Sequence, residues 1–284
     1  MLSSAQAVPI GIFDSGVGGL SVLPAIRREL PCQPLIYLAD QAHVPYGPRS
    51  RDEIIAFSTE IIQFLINQGA GLIVVACNTA SAAALQHLRT SFPTVPFVGM
   101  VPAVKVAALQ TRSKTIGVLA TPNTFGGALY HDVVDRFGEG VTILEDTCPG
   151  LVEEIEAGHL NGTRTRQILL DALLPMLEHN IDQLVLGCTH YPFVTPLIRE
   201  ILQNHTQPQQ PQVEMIDAAL GVARQTARLA QEHGLACPGG QPGSVRYQTS
   251  GQVHMLQNLM PLLTGENPPV EPLAWRDGKL YFAA

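Results

Sequence analysis

The sequence predicts an α/β protein made of two related units whose sheets are mostly parallel. Three observations predict it. Short apolar runs alternate with stretches of helical period along most of the chain. At 284 residues the chain is long for one compact core and comfortable for two such units. One local pattern also occurs twice: Ile73-Val-Val-Ala-Cys77-Asn78-Thr79 and Leu184-Val-Leu-Gly-Cys188-Thr189-His190 each end an apolar run at a cysteine, followed by polar groups and a helix pattern.

The first strand, Ile10–Phe13, runs into Asp14-Ser15-Gly16-Val17-Gly18-Gly19, a tight turn leading to a helix from Ser21 to Leu30. Strand Leu35–Ala39 ends at Asp40. Gly16-x-Gly18 with an acid at the next strand end is similar to a dinucleotide fingerprint, but Ser21 stands where a third glycine or alanine belongs. A glycine turn shaping a small anion pocket fits better. Val44-Pro45-Tyr46-Gly47-Pro48 is too proline-rich for anything but a loop. Ser50 and Glu53 spell a capping box for a helix reaching Asn67, with Ile54, Phe57, Ile61 and Leu65 on one face and Gly69 past its end.

Strand Leu72–Ala76 delivers Cys77. Ala82–Arg89 then reads as helix, Val95–Gly99 as strand and Pro102–Gln110 as helix. A second series opens at strand Thr115–Ala120, ending in Thr121-Pro122-Asn123-Thr124. It continues through Ala128–Phe137, Val141–Glu145, Pro149–Ala157 and Thr163–His179, where Pro175 is expected to kink the helix. Gln183–Gly187 delivers Cys188, and a helix pattern covers Phe193–Leu202.

The two series parallel each other. Gly11-Ile-Phe-Asp14-Ser15 matches Gly117-Val-Leu-Ala120-Thr121; Ser15 lies 62 positions before Cys77 and Thr121 lies 67 before Cys188. One internal duplication accounts for both hydroxyl residues and both cysteines. Beyond the Gln203–Gln212 linker come a strand at Val213–Ile216, a helix to His233 with Asp217 as N-cap, a loop at Cys237–Ser244, a strand at Val245–Thr249, a helix around Val253–Leu263 and a hairpin turning at Asp277-Gly278. This last portion is too small to stand alone and is expected to complete the first unit. The division is therefore 1–101 plus 212–284 carrying Cys77, and 102–211 carrying Cys188.

Composition narrows the function. Apolar residues make up 46% and charged residues 14%, as in a globular protein. A net charge of −7, with scattered basic residues, argues against nucleic acid or an anionic membrane as partner. No apolar run has the length of a membrane span, and the first nine residues lack the features of a secretion signal. Five widely spaced cysteines, an odd number, point to reduced thiols in the cytoplasm, and no spacing resembles a metal site.

Cys77 and Cys188 stand where ligands collect in α/β sheets, at carboxyl strand ends, each just before a helix whose free N–H groups favour negative charge. That placement is expected to bring a thiol from about 8.5 towards 7. Asn78, Thr79, Thr189, Ser15 and Thr121 offer hydrogen bonds to carboxylates, and His190 is an acid or base near neutrality. Facing thiols can form a redox pair if their Cα atoms come within about 7 Å. They can instead move a substrate proton between two faces of one carbon, or one can act as nucleophile beside an incidental second. Two buried structural cysteines also remain open at this point. Cys32, Cys148 and Cys237 lack polar neighbours of this kind and read as structural.

At these residues the chain resembles the glutamate racemases of the cofactor-independent aspartate/glutamate racemase superfamily. The matching stretches are Phe13-Asp14-Ser15-Gly16-Val17-Gly18-Gly19-Leu20, Tyr37-Leu-Ala-Asp40, Pro45-Tyr46-Gly47, Ala76-Cys77-Asn78-Thr79-Ala80, Ala120-Thr121 with Thr124, Cys148-Pro149, Gly187-Cys188-Thr189-His190-Tyr191-Pro192 and Ile216-Asp217. The resemblance implies two pseudo-symmetric α/β domains with the active site in the cleft between them, and interconversion of L- and D-glutamate to supply peptidoglycan synthesis. It implies that Cys77 acts on the D-enantiomer and Cys188 on the L-enantiomer, that Asp14 and His190 assist the thiols, and that Glu156 supports His190. Substrate contacts would come from Asp14, Ser15, Tyr46, Gly47, Asn78, Thr79, Thr121, Thr189 and His190. No cofactor or metal is expected, and a homodimer is. Ser81 and His190 stand where aspartate racemases typically carry His and an acid. Gly127 and Ala218 depart from the family's usual serines. Asp40 reads as a cap more than a catalyst, and His43 as a surface or capping residue.

Overall fold

The computed structural model describes residues 7–283. Its first series is β1 (Ile10–Asp14), α1 (Leu23–Glu29), β2 (Leu35–Ala39), α2 (Arg51–Asn67), β3 (Leu72–Val75), α3 (Asn78–Ser91), β4 (Phe97–Val98) and α4 (Val104–Gln110). Its second is β5 (Thr115–Leu119), α5 (Pro122–Phe125), α6 (Ala128–Phe137), β6 (Thr142–Asp146), α7 (Leu151–Glu156), α8 (Thr163–Glu178), β7 (Gln183–Leu186) and α9 (Thr195–His205). The chain then adds β8 (Glu214–Ile216), α10 (Ala219–Glu232), β9 (Val245–Thr249), α11 (Val253–Thr264), β10 (Val270–Arg276) and β11 (Lys279–Phe282).

Fully buried strands with helices between them make parallel sheets, because each crossover helix covers a face. The first sheet has the order β11-β10-β9-β2-β1-β3-β4, the second β6-β5-β7-β8. Among the described residues only the hairpin β10–β11 pairs antiparallel; it turns at Asp277 and Gly278, both in the left-handed region, as a two-residue hairpin requires. The four strands at one end of the first sheet, β2-β1-β3-β4, have the same order as the whole second sheet. That is the arrangement a duplicated unit gives.

The tail completes the first sheet: β9 pairs in parallel with β2 along Leu35–Ala39. One expected boundary moves. β8 pairs with β7, Gln183 opposite Glu214, so the chain leaves the second sheet after Ile216 and not at 211–212. The cause is the open edge of β7, which β8 covers as β4 covers β3. Asp217 is not the N-cap of α10. Its carboxylate accepts the Ala219 N–H at 2.8 Å from one position further out, and Ala218 occupies the cap. The chain thus crosses between sheets twice, near 99–103 and at 217–218.

Four helices, α1, α4, α7 and α9, start two residues later than the apolar pattern predicts. A short 3-10 turn, Gly18–Ser21, precedes α1, and another, Tyr191–Val194, precedes α9; Pro24 and Pro196 lie in the first turns, where proline fits a helix start. Pro175 lies inside α8, which continues to Glu178. The capping box forms as spelled: Ser50 Oγ accepts the Glu53 N–H at 3.3 Å, and Glu53 Oε2 accepts the Ser50 N–H at 2.9 Å. A Ser50→Ala change is expected to cost about 1 kcal/mol of stability, read as a lower urea midpoint at unchanged slope. Among the described residues, no helix is long and apolar enough to cross a membrane.

Candidate active site

Cys77 and Cys188 occupy equivalent places, two residues beyond the ends of β3 and β7. Both are buried, at 4% and 7% exposure, and both line one cavity of about 210 Å³. Ser15, Tyr46, Gly47, Asn78, Thr79, Thr121, Thr189 and His190 line it too. Of the residues expected from the sequence, only Asp14 and Glu156 stand outside the lining. Each lies behind one of the thiols.

On the Cys77 side, the sulfur caps α3 and accepts the Ala80 N–H at 3.4 Å. Its thiol donates to Ser15 Oγ at 3.7 Å, and Ser15 Oγ donates to Asp14 Oδ1 at 3.1 Å. Asp14 is fully buried and also accepts from Gly16 N–H at 3.0 Å and Thr189 Oγ1 at 2.8 Å. Burial raises its carboxyl above the ordinary value, against the opposing pull of His190.

On the Cys188 side, Sγ lies 3.8 Å from His190 Nδ1, and His190 Nε2 lies 2.7 Å from Glu156 Oε1. Burial works against a charged imidazole here, yet its hydrogen bonds to Cys188 and Glu156 raise His190 well above its ordinary value. Burial likewise works against the Glu156 anion. Its bond to His190 and the attraction of that ring, with the Val17 and Gln41 donors, nonetheless hold it below the usual range. Each thiol therefore has its own proton path ending at a carboxylate.

The expectation of a thiol near 7 fails for Cys77. Desolvation, with the Asp14 charge behind it, pushes that thiol up to about 12. The single N–H of α3 reaches the sulfur but does not offset its burial.

The cavity's hydroxyl groups bridge the sheets. Thr79 Oγ1 is 2.7 Å from Thr121 Oγ1, which is 2.9 Å from Thr124 Oγ1. Asn78 Oδ1 is buried and finds no partner among the described residues, so it faces the cavity as a free acceptor.

The glycine turn is packed against the second sheet. A Cβ on Gly16 would overlap the Glu156 carboxylate, and one on Gly18 would overlap Thr189 and His190. A pyrophosphate has no place at this turn. Asp40 is equally committed: Oδ2 takes Tyr46 OH at 2.7 Å and His43 Nδ1 at 2.9 Å, and Oδ1 takes Ser250 Oγ at 2.6 Å and Trp275 Nε1 at 2.8 Å. With both oxygens used it cannot hold a ribose, and it acts as the support under Tyr46 rather than as a helix cap. His43, expected at the surface, stacks on Phe57 with ring centroids 3.8 Å apart.

Cys148 was expected to be structural, yet it lines the cavity with Pro149 and Gly150. It sits in the left-handed region at φ +44, its N–H bonded to Asp146 Oδ1 at 2.7 Å, and burial raises its thiol strongly. The Cys-Pro pair at the head of α7 was the signal available for it. Gln41, which reaches Glu156, carried no signal at all.

Two buried thiols at equivalent strand ends, each joined by hydrogen bonds to a carboxylate, line one cavity of a duplicated α/β fold, the arrangement of a racemase-class protein. The chain belongs to the Asp/Glu/Hydantoin racemase family, whose model matches residues 11–226. A glutamate racemase of Roseiflexus sp. (strain RS-1) is 48% identical over 260 residues, covering 91% of this chain and 93% of that one. Among solved structures, glutamate racemase isoform RacE1 of Bacillus anthracis matches with a TM-score of 0.82 at 30% identity, covering 96% of this chain and 99% of that one. The glutamate racemase of Francisella tularensis, solved in complex with D-glutamate, matches with a TM-score of 0.78 at 29% identity, covering 94% and 97%.

Proposed function

We propose that this protein interconverts L- and D-glutamate by moving the Cα proton between Cys77 and Cys188. The observation that carries the reading is the pair of thiols at equivalent strand ends in one cavity, each backed by its own carboxylate path. Two such paths supply both the base and the acid that inversion needs, without help from a cofactor or metal. The kinship with glutamate racemases supports glutamate as the substrate.

In this reading Cys188 removes the proton from L-glutamate, with His190 and Glu156 taking charge of the thiol's own proton. Cys77 serves the D-enantiomer, and its proton passes through Ser15 to Asp14, whose raised affinity suits it to receive one. Asn78 Oδ1 accepts from the substrate ammonium. Thr79, Thr121, Thr189 and the Tyr46–Gly47 backbone hold its carboxylates, as the resemblance implies. The units 102–216 and 1–101 with 217–284 then act as the two walls of the site. The enzyme supplies D-glutamate for peptidoglycan synthesis, works in the cytoplasm and pairs as a homodimer, the last checked by light scattering.

The decisive experiment incubates the purified protein with L-glutamate in D2O without pyridoxal phosphate, metal or nicotinamide. Optical activity is expected to decay while deuterium enters Cα. Tight binding of glutamate with no Cα exchange would leave only a binding protein.

A further inference from the structure

We propose that Gln41, itself oriented by Thr249, is a positioning residue for the Cys188 half of the site. The proposal rests on the glutamate racemase reading and adds to it a pair of groups that never touch substrate.

The Glu156 carboxylate is used unevenly. Oε1 takes His190 Nε2 at 2.7 Å and the Val17 N–H at 2.8 Å, while among the described residues Oε2 takes only Gln41 Nε2, at 2.9 Å. A carboxylate anchored at one oxygen can still turn about its side-chain torsions. A second bond at the other oxygen fixes its plane and keeps Oε1 on His190.

An amide can present either end, so something must decide which end of Gln41 faces Glu156. Thr249 decides it: its Oγ1 donates to Gln41 Oε1 at 2.8 Å, leaving the NH2 for the carboxylate. The direction of the Thr249 hydroxyl is set in turn, because its oxygen accepts the Gly251 N–H at 3.0 Å. Thr249 is fully buried at the end of β9, opposite Ala39 of β2. Donors thus run from the Gly251 backbone through Thr249 and Gln41 to Glu156, whose other oxygen accepts from His190, the neighbour of Cys188. Strand β9 thus reaches the Cys188 sulfur through four side chains, its own Thr249 the first of them.

The Cys77 half has no such extension. Asp14 is held by Ser15, Gly16 and Thr189 in the wall of the site itself. Loosening the relay should therefore slow the steps of one thiol only, and this asymmetry separates positioning from general structural damage.

The test compares Gln41→Met, Thr249→Val and Thr249→Ser with wild type on L- and D-glutamate, each also deuterated at Cα. For Gln41→Met the turnover of L-glutamate is expected to fall about tenfold, the worth of one hydrogen bond to a charged group. Its isotope effect should rise with 2-deuterio-L-glutamate, because removal of that proton by Cys188 becomes slower. The isotope effect should fall with 2-deuterio-D-glutamate, because the later return of a proton from Cys188 becomes limiting. Thr249→Val should move both effects the same way to a smaller extent, and Thr249→Ser, which keeps the hydroxyl, should match wild type.

Gln41→Met kinetics equal to wild type would overturn the proposal. So would a rate loss with both isotope effects unchanged, or equal losses in Thr249→Val and Thr249→Ser. If thermal melts find Gln41→Met unfolded, the two Thr249 variants decide alone. A wild-type protein inert on both glutamate enantiomers would overturn the underlying reading and the relay with it, a result distinct from active wild type with unaffected variants.

Discussion

Cys188→Ala is expected to abolish racemisation in both directions, with kcat/KM falling ~10³-fold or more, at the upper end of what one acid–base group contributes. Both directions fail because, in the proposed mechanism, the same sulfur removes the proton of one enantiomer and supplies the proton of the other. The change leaves the fold intact: Cys188 is a small group at a strand end, and the core strands β5 and β7 do not depend on it. Polarimetry from each enantiomer, with NMR of the Cα proton in D2O, reads the effect. Full racemisation by the variant would sink the two-thiol reading, since His190 or Glu156 would then have to serve alone.

Asp14→Asn is expected to lower activity about a hundredfold while making the protein more stable at neutral pH. The activity loss follows from the proton path, because an amide cannot take the proton that Cys77 passes to Ser15. The stability gain follows from the raised carboxyl. A group that holds its proton more tightly when folded contributes fully below its unfolded value, here near 3.8, and loses that contribution as pH rises through the folded value. The amide is free of this penalty. It keeps the Ser15 and Gly16 bonds through its oxygen, and Thr189 can turn to accept. Melts from pH 3 to 8 should find no gain at the acid end and a growing gain towards neutrality. A variant less stable than wild type at pH 7 would refute the burial argument.

Much of the architecture was legible because it rests on local periodicity. β2, α6 and β9 occur with the bounds their apolar patterns predict, and the matched cysteine stretches do end at equivalent places in one cavity. What escaped was set by distance along the chain. Gln41 reaches Glu156 across 115 positions, and Asp40 takes Trp275 from 235 positions away; no spacing rule links such residues. β8 could not be assigned to a sheet from its own sequence, because its partner edge is a tertiary property. The Cys77 thiol was misjudged for a related reason. The helix end that favours an anion is visible in the sequence, while the burial that outweighs it is not.

The double crossing between sheets carries a mechanical consequence. Two bodies joined by a single strand of chain can twist and slide freely, whereas two joints leave mainly rotation about the line connecting them. Met100 at one joint and Asp217 and Ala218 at the other share a small cleft with Asn78 and Cys188, so the axle runs close to the Cys188 thiol. Tyr46–Pro48 and Thr147–Gly150, on loops of opposite sheets, face one another across the larger cavity. Swinging the halves apart on that axle would admit glutamate and at the same time separate the two sulfurs. Entry, alignment and release then lie along one door-like coordinate, and a molecule wedged beside the axle would act on all three together.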